Sequence, residues 1–167
     1  MSNSRRMPNR PSKDEYFMGL AMAVARRSTC LRRQVGAVIV DNRGRVAATG
    51  YNGAPTGMEH CSKIGCLRDR ENILSGQQQQ RCRAVHAEQN ALIQAVGTGA
   101  QLEGGTIYTL ISPCVICAKM ILNTRLAKVV YLEDYPDEYA TSLMKEGGLE
   151  IVHFPVTKAQ LALGFTE

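Results

Sequence analysis

Two short segments constrain this chain more than anything else in it: His86-Ala87-Glu88 and, downstream, Pro113-Cys114-Val115-Ile116-Cys117. One imidazole and two thiolates are ligands that zinc favours, and a tetrahedral ion held by three protein groups keeps its fourth position open. Closed structural sites use four protein ligands, so this set reads as a catalytic centre. Glu88 stands two residues past the histidine, near enough to share the pocket and not needed as a ligand. A free carboxylate beside such a metal is what proton transfer requires. Whatever the fold, it must bring these two segments to one point.

Taken singly, each piece has a plainer use. A Cys-x-x-Cys can be redox-active or half of a structural zinc site, and a histidine at a helix start can be a cap or a core residue. The combination is more specific, because both segments open helices. Pro113 suits a helix N-terminus, where its missing N–H is harmless. Cys114 and Cys117, three apart, then fall on the same side of the first turn. The positive end of each helix dipole favours the thiolate form.

The periodicity around these segments predicts the architecture. Residues 13–27 place Tyr16, Phe17, Leu20, Ala21, Val24 and Ala25 on one helical face, and Ser12 with Glu15 forms a capping-box pattern. Residues 35–40 and 46–51 read as a β-hairpin across the turn Asp41-Asn42-Arg43-Gly44. Residues 86–96 read as a helix, 106–111 as a strand, 128–132 as a strand, 136–147 as a helix, 149–154 as a strand and 157–163 as a closing helix. Helices alternating with strands after a hairpin imply an α/β fold, a three-layer α-β-α sandwich around a mixed five-stranded sheet. Residues 56–83 show no clean period and include a glutamine-rich tract at 76–80. A stretch this long needs something to hold it.

At 167 residues the chain fits a single domain, expected over residues 13–167 behind a disordered basic tail at 1–12. That tail has no apolar h-region of a secretory signal, and no apolar run approaches the roughly 20 residues of a membrane span. The expected setting is cytoplasmic, where six cysteines favour metal ligation over disulfides. A net charge of +5 suits an anionic partner, a nucleotide phosphate or a nucleic acid. With three Phe, six Tyr and no Trp there are few platforms for stacking a single strand, which favours a small nucleotide over nucleic acid.

Several residues keep two readings. Asn52, in Gly50-Tyr51-Asn52-Gly53, either forms a turn dipeptide or uses its amide to donate to and accept from a sugar hydroxyl. Arg26, Arg33, Arg68, Arg81 and Arg83 are candidates for a phosphate and equally for solvated surface charge. His153, remote from every motif, reads as structural.

Arg33-x-Val35-Gly36-Ala37-Val38-Ile39-Val40, Thr49-Gly50-Tyr51-Asn52-Gly53-Ala54-Pro55, His86-Ala87-Glu88-Gln89-Asn90-Ala91-Leu92 and Ser112-Pro113-Cys114-x-x-Cys117-Ala118-Lys119 together resemble the deoxycytidylate (dCMP) deaminase family, the branch that includes competence-operon deaminase-like proteins and phage enzymes. The metal-ligand pieces are shared across the cytidine deaminase superfamily. The Gly-Tyr-Asn-Gly-Ala-Pro piece and the cysteine-bearing insertion narrow the resemblance, which runs from about residue 13 to 154. It implies zinc-dependent hydrolysis of dCMP to dUMP and ammonia, with Glu88 as proton shuttle, His86, Cys114 and Cys117 on the catalytic zinc, and Asn52 on the deoxyribose.

The resemblance also implies a homo-oligomer, hexamer or dimer, with dCTP and dTTP as effectors, often with Mg²⁺. At Val96-Gly97 this chain departs from regulated members, which carry Arg-Asn. At Arg125-Leu126 it departs again, where members tend to have Gly-Ile. The first difference bears on allosteric control and the second on the subunit surface. Some members hold a second, structural zinc, and Cys30 and Cys61 match two of its ligands. Cys66 and Cys82 are the remaining thiols, His60 is the alternative fourth ligand, and the plainer use of all these cysteines is as small buried apolar residues. Two other functions fit the same metal triad: deamination of tRNA or single-stranded nucleic acid, and nucleotide sensing without turnover.

Overall fold

The computed structural model describes residues 10–155. All but the last three residues of the expected basic tail, and the expected helix at 157–163, lie outside them. The described chain runs α1 (Lys13–Ala25), β1 (Gly36–Val40), β2 (Val46–Tyr51), α2 (Cys61–Ile64), α3 (Leu67–Arg70), a 3-10 turn (Gln79–Arg81), α4 (Ala87–Gly97), β3 (Thr106–Ile111), α5 (Val115–Asn123), β4 (Lys128–Glu133), α6 (Glu138–Glu146) and β5 (Glu150–His153). Ser12 and Glu15 close the expected capping box on α1, the Glu15 N–H donating to Ser12 Oγ at 3.2 Å and the Ser12 N–H to Glu15 Oε2 at 2.6 Å. The helix buries a slightly rotated face: Met18 is enclosed while Tyr16 faces out.

The strands form one sheet in the order β2-β1-β3-β4-β5. The hairpin pairing and β1 with β3 are antiparallel, whereas β3 with β4 and β4 with β5 are parallel. The sheet is therefore mixed and five-stranded, as expected. Alternation along its central strands separates two cores. Ala37, Ile39, Ile107 and Val129 pack with Ala91 and Leu92 of α4, Ala118 and Ile121 of α5 and Met144 of α6. Val38, Val40, Tyr108 and Val130 turn to the other face, against Phe17, Met18 and Ala21 of α1. Full burial of a valine or isoleucine is worth about 1.5–3 kcal/mol, so these two faces hold the three layers together.

Two glycines set how closely the helices approach. A Cβ on Gly36 would collide with the backbone of Ala21 and Ala25, and one on Gly50 with the Ala87 carbonyl and the Ala91 nitrogen. They occupy adjacent registers of the hairpin, Gly36 opposite Tyr51 and Ala37 opposite Gly50. Gly50 thus lets the first turn of α4 lie directly on β2, and Asn90 fastens it there by donating from Nδ2 to the Tyr51 carbonyl at 2.7 Å.

The aperiodic segment 56–83 is a series of single turns clipped to the body of the fold. Arg32 donates to the Ile73 carbonyl at 3.0 Å, Arg68 to the Leu74 and Gln77 carbonyls at 2.8 and 2.7 Å, and the Gly76 N–H to the Tyr135 hydroxyl at 3.1 Å. Among the described residues no helix is long and apolar enough to cross a membrane.

Candidate active site

The N-termini of α4 and α5 converge. His86 is the cap residue of α4, and its N–H donates to Gln89 Oε1 at 2.8 Å. Cys114 is the cap residue of α5, so Pro113 sits one position before the cap and not inside the first turn. Cys117 follows three residues on, which brings both sulfurs to the same side as expected. Asp137 anchors this end of α5: Oδ2 accepts from the Val115 N–H at 2.8 Å while Oδ1 accepts from Ala140 N–H at 3.0 Å, capping α6 as well.

His86 Nδ1 lies 3.5 Å from Cys114 Sγ and 3.5 Å from Cys117 Sγ, and the three donor atoms all fall within 4.8 Å of one another. With zinc–nitrogen and zinc–sulfur bonds of about 2.0 and 2.3 Å, a tetrahedral edge between them is about 3.6 Å. The donor set therefore fits zinc in both chemistry and spacing. Both sulfurs are buried. A hydrogen bond from Cys117 holds the Cys114 thiol well below its ordinary pKa, against the effect of burial and with help from His86. The same bond, with burial, keeps Cys117 above its own. Burial works to lower the His86 pKa, but the hydrogen bonds to Cys114 and Cys82 and the nearby Glu88 charge outweigh it and raise it.

Glu88 is 5% exposed, the most enclosed carboxylate of the site. Its Oε1 accepts from the Thr109 hydroxyl at 3.1 Å and its Oε2 lies 3.6 Å from Cys117 Sγ. Burial pushes its pKa up, opposed mainly by the His86 charge. Thr109, fully buried on β3, had no signal of its own in the sequence: a threonine inside a strand reads as sheet filling, and only the pairing of β3 beside β1 brings it under α4.

Asn52 is buried and more heavily committed than either sequence reading allowed. Its Oδ1 accepts from Ser28 Oγ at 2.6 Å and from the Val35 N–H at 2.8 Å, and its Nδ2 donates to the Arg33 carbonyl at 2.8 Å. The carbonyl oxygen is saturated, so the expected double use toward a sugar reduces to donation of the one remaining amide proton. Asn52 lines a cavity of about 490 Å³ that also includes His86, Glu88 and Cys114.

Cys30, Cys61, Cys66 and Cys82 line the same cavity. Burial is the main cause raising the Cys61 pKa, and the three other thiols are close enough to add to it. Their sulfurs do not reach the mutual spacing of the first triad, which is the one such group among the described residues. Cys82 turns partly toward the catalytic side, where a hydrogen bond with His86 lowers its pKa. His60 is exposed, with Nδ1 3.1 Å from Thr29 Oγ1. Of the arginine candidates, Arg33 and Arg81 pair with Glu133 and Glu71, and Arg83 donates to the Glu59 carbonyl at 2.9 Å. His153 stacks on Tyr131, with Nε2 2.7 Å from the Leu132 carbonyl, a structural placement.

A mixed sheet carrying a His-Cys-Cys centre at two helix N-termini, with a buried glutamate alongside, defines the class of zinc-dependent nucleobase deaminases. Residues 11–133 match the cytidine and deoxycytidylate deaminase zinc-binding region, and the chain belongs to that family. It is 39% identical over 154 residues to deoxycytidylate deaminase of Saccharomyces cerevisiae, covering 89% of this chain and 47% of that protein. It is 44% identical over 128 residues to deoxycytidylate deaminase of Mycobacterium phage D29, covering 74% of this chain and 96% of the phage protein. The chain thus spans about half the length of the yeast relative. The crystal structure of dCMP deaminase from cyanophage S-TIM5 in complex with dCMP and dUMP superposes with a TM-score of 0.71 at 28% identity, covering 90% of this chain and 100% of that one.

Proposed function

We propose that this protein converts dCMP to dUMP and ammonia, supplying precursor for thymidylate synthesis. The observation that carries the reading is the buried Glu88 carboxylate set against a His86, Cys114 and Cys117 triad whose spacing fits zinc. Relatives named deoxycytidylate deaminase support the choice of substrate. His86, Cys114 and Cys117 hold the ion, which when bound supplies Lewis-acid activation of water. Glu88 takes a proton from the attacking water and passes it to ring N3 as the oxygen bonds to C4. It then takes the proton of the new C4 hydroxyl and gives it to the amino group, so the C4–N bond breaks and ammonia leaves. Thr109 donates to one Glu88 oxygen and leaves the other for this traffic. The raised pKa of Glu88 suits a group that must hold a proton between the two transfers.

In the same reading Asn52 donates its remaining amide proton to a deoxyribose hydroxyl. Residues 13–167 form a single deaminase domain. The exposed Ile93 and Val96 on α4 suit assembly into a homo-oligomer. Six free cysteines suit the reducing cytoplasm. The test is ammonia release by zinc-loaded protein from dCMP, dCTP, deoxycytidine and CMP in parallel. Rapid turnover confined to dCMP is expected; release from another member of the set, or from none, overturns the substrate assignment.

A further inference from the structure

Arg68 is the most anomalous side chain of the cavity. It is 8% exposed, and no carboxylate among the described residues lies within ion-pair distance of it. Of the other arginines on the cavity wall, Arg32 pairs with Asp69 and Arg33 with Glu133, while the less buried Arg83 donates to the Glu59 carbonyl. The hydrogen bonds of Arg68 both leave from Nη2, to the Leu74 and Gln77 carbonyls. Its Nε is buried without a partner. Two neutral carbonyls fix the guanidinium in place without cancelling its charge, and a buried, unpaired charge is costly for a fold to keep. Such a cost is retained where the missing counter-charge arrives with a ligand.

The place of Arg68 in the cavity says where that ligand sits. Arg68 lines the same cavity as Cys82, His86 and Glu88, and it lies near enough to Cys82 for its charge to act on that thiol. We infer that Arg68 is the anion receptor of this cavity and takes the 5′-phosphate of the nucleotide whose base is presented to Glu88. The inference rests on the nucleotide-deaminase reading above and deepens it, since it makes the phosphate a requirement for productive binding. A planar guanidinium pinned on one edge presents its other donors to phosphate oxygens in fixed geometry. Nothing in the sequence separated Arg68 from Arg26, Arg33, Arg81 or Arg83; only burial and the lack of a carboxylate do.

The test measures dUMP, 2′-deoxyuridine and inorganic phosphate binding by calorimetry on zinc-loaded wild type, Arg68→Lys and Arg68→Gln, with zinc content and circular dichroism checked for each. In Arg68→Gln, dUMP affinity is expected to fall between about tenfold and a hundredfold, and inorganic phosphate to stop competing with it. The nucleoside should lose far less. Arg68→Lys keeps the charge without the planar fork and should fall between; it carries the test alone should the glutamine variant fail to fold. Unchanged dUMP affinity in a folded variant, or an equal loss for nucleotide and nucleoside, overturns the assignment. A wild type whose dUMP affinity depends on Arg68 but which releases no ammonia from dCMP supports the anion receptor while overturning the reaction proposed above.

Discussion

Asn52 illustrates how much one residue can carry. Its amide joins the end of β2 to Ser28, Arg33 and Val35, across sequence separations of 24, 19 and 17 residues. The sequence marked Asn52 because Asn-Gly at a strand end is a turn signal, but its three partners become neighbours only when α1 and the hairpin dock. Removing a buried group leaves its partners unsatisfied, which costs more than the bond itself contributed. Asn52→Ala should therefore lower unfolding free energy by about 2–3 kcal/mol, read from urea denaturation at constant zinc. A loss within a few tenths of a kcal/mol would show that the side chain is not the tie described here. Glu88 was legible in a different way: its offset from His86 fixes it beside the centre, whereas its Thr109 partner comes from a distant strand and left no local trace.

At the level of elements, the five strands and the helices α1, α4 and α6 were legible to within two or three residues, because periodicity survives wherever one face is buried; of α5 only the start was read. The segment 56–83 was not, since its turns are held by Arg32, Arg68 and Tyr135 from outside any local pattern. The end of α5 makes a separate point. Arg125 has φ of +57° just after the cap residue Thr124, the left-handed position where glycine is favoured. Its side chain pairs with Glu103 at 3.3 Å, both largely exposed, so the pair contributes little. Arg125→Gly should raise stability by about 0.5–1 kcal/mol, or about 1–4 °C in Tm. A fall in Tm would mean that the Glu103 contact outweighs the backbone strain.

Across the whole molecule, the sheet order turns two distant motifs into one centre. Placing β3 between β1 and β4 sets the α4 helix, seated on β2 through Gly50, beside the α5 helix that follows β3. His86, Cys114 and Cys117 then meet at one point, and His86, Glu88 and Cys114 line one cavity. The motif told that these residues had to meet, and the alternation of elements told the sheet type. The strand order came only from the pairing itself. In the proposed reaction Glu88 moves protons and is not a ligand of the metal. The most direct measurement is ammonia release from dCMP by wild type and Glu88→Ala at equal zinc content. A fall of at least about a hundredfold in kcat with zinc retained is the expected result; a variant that keeps its turnover with its zinc would contradict the role assigned to Glu88.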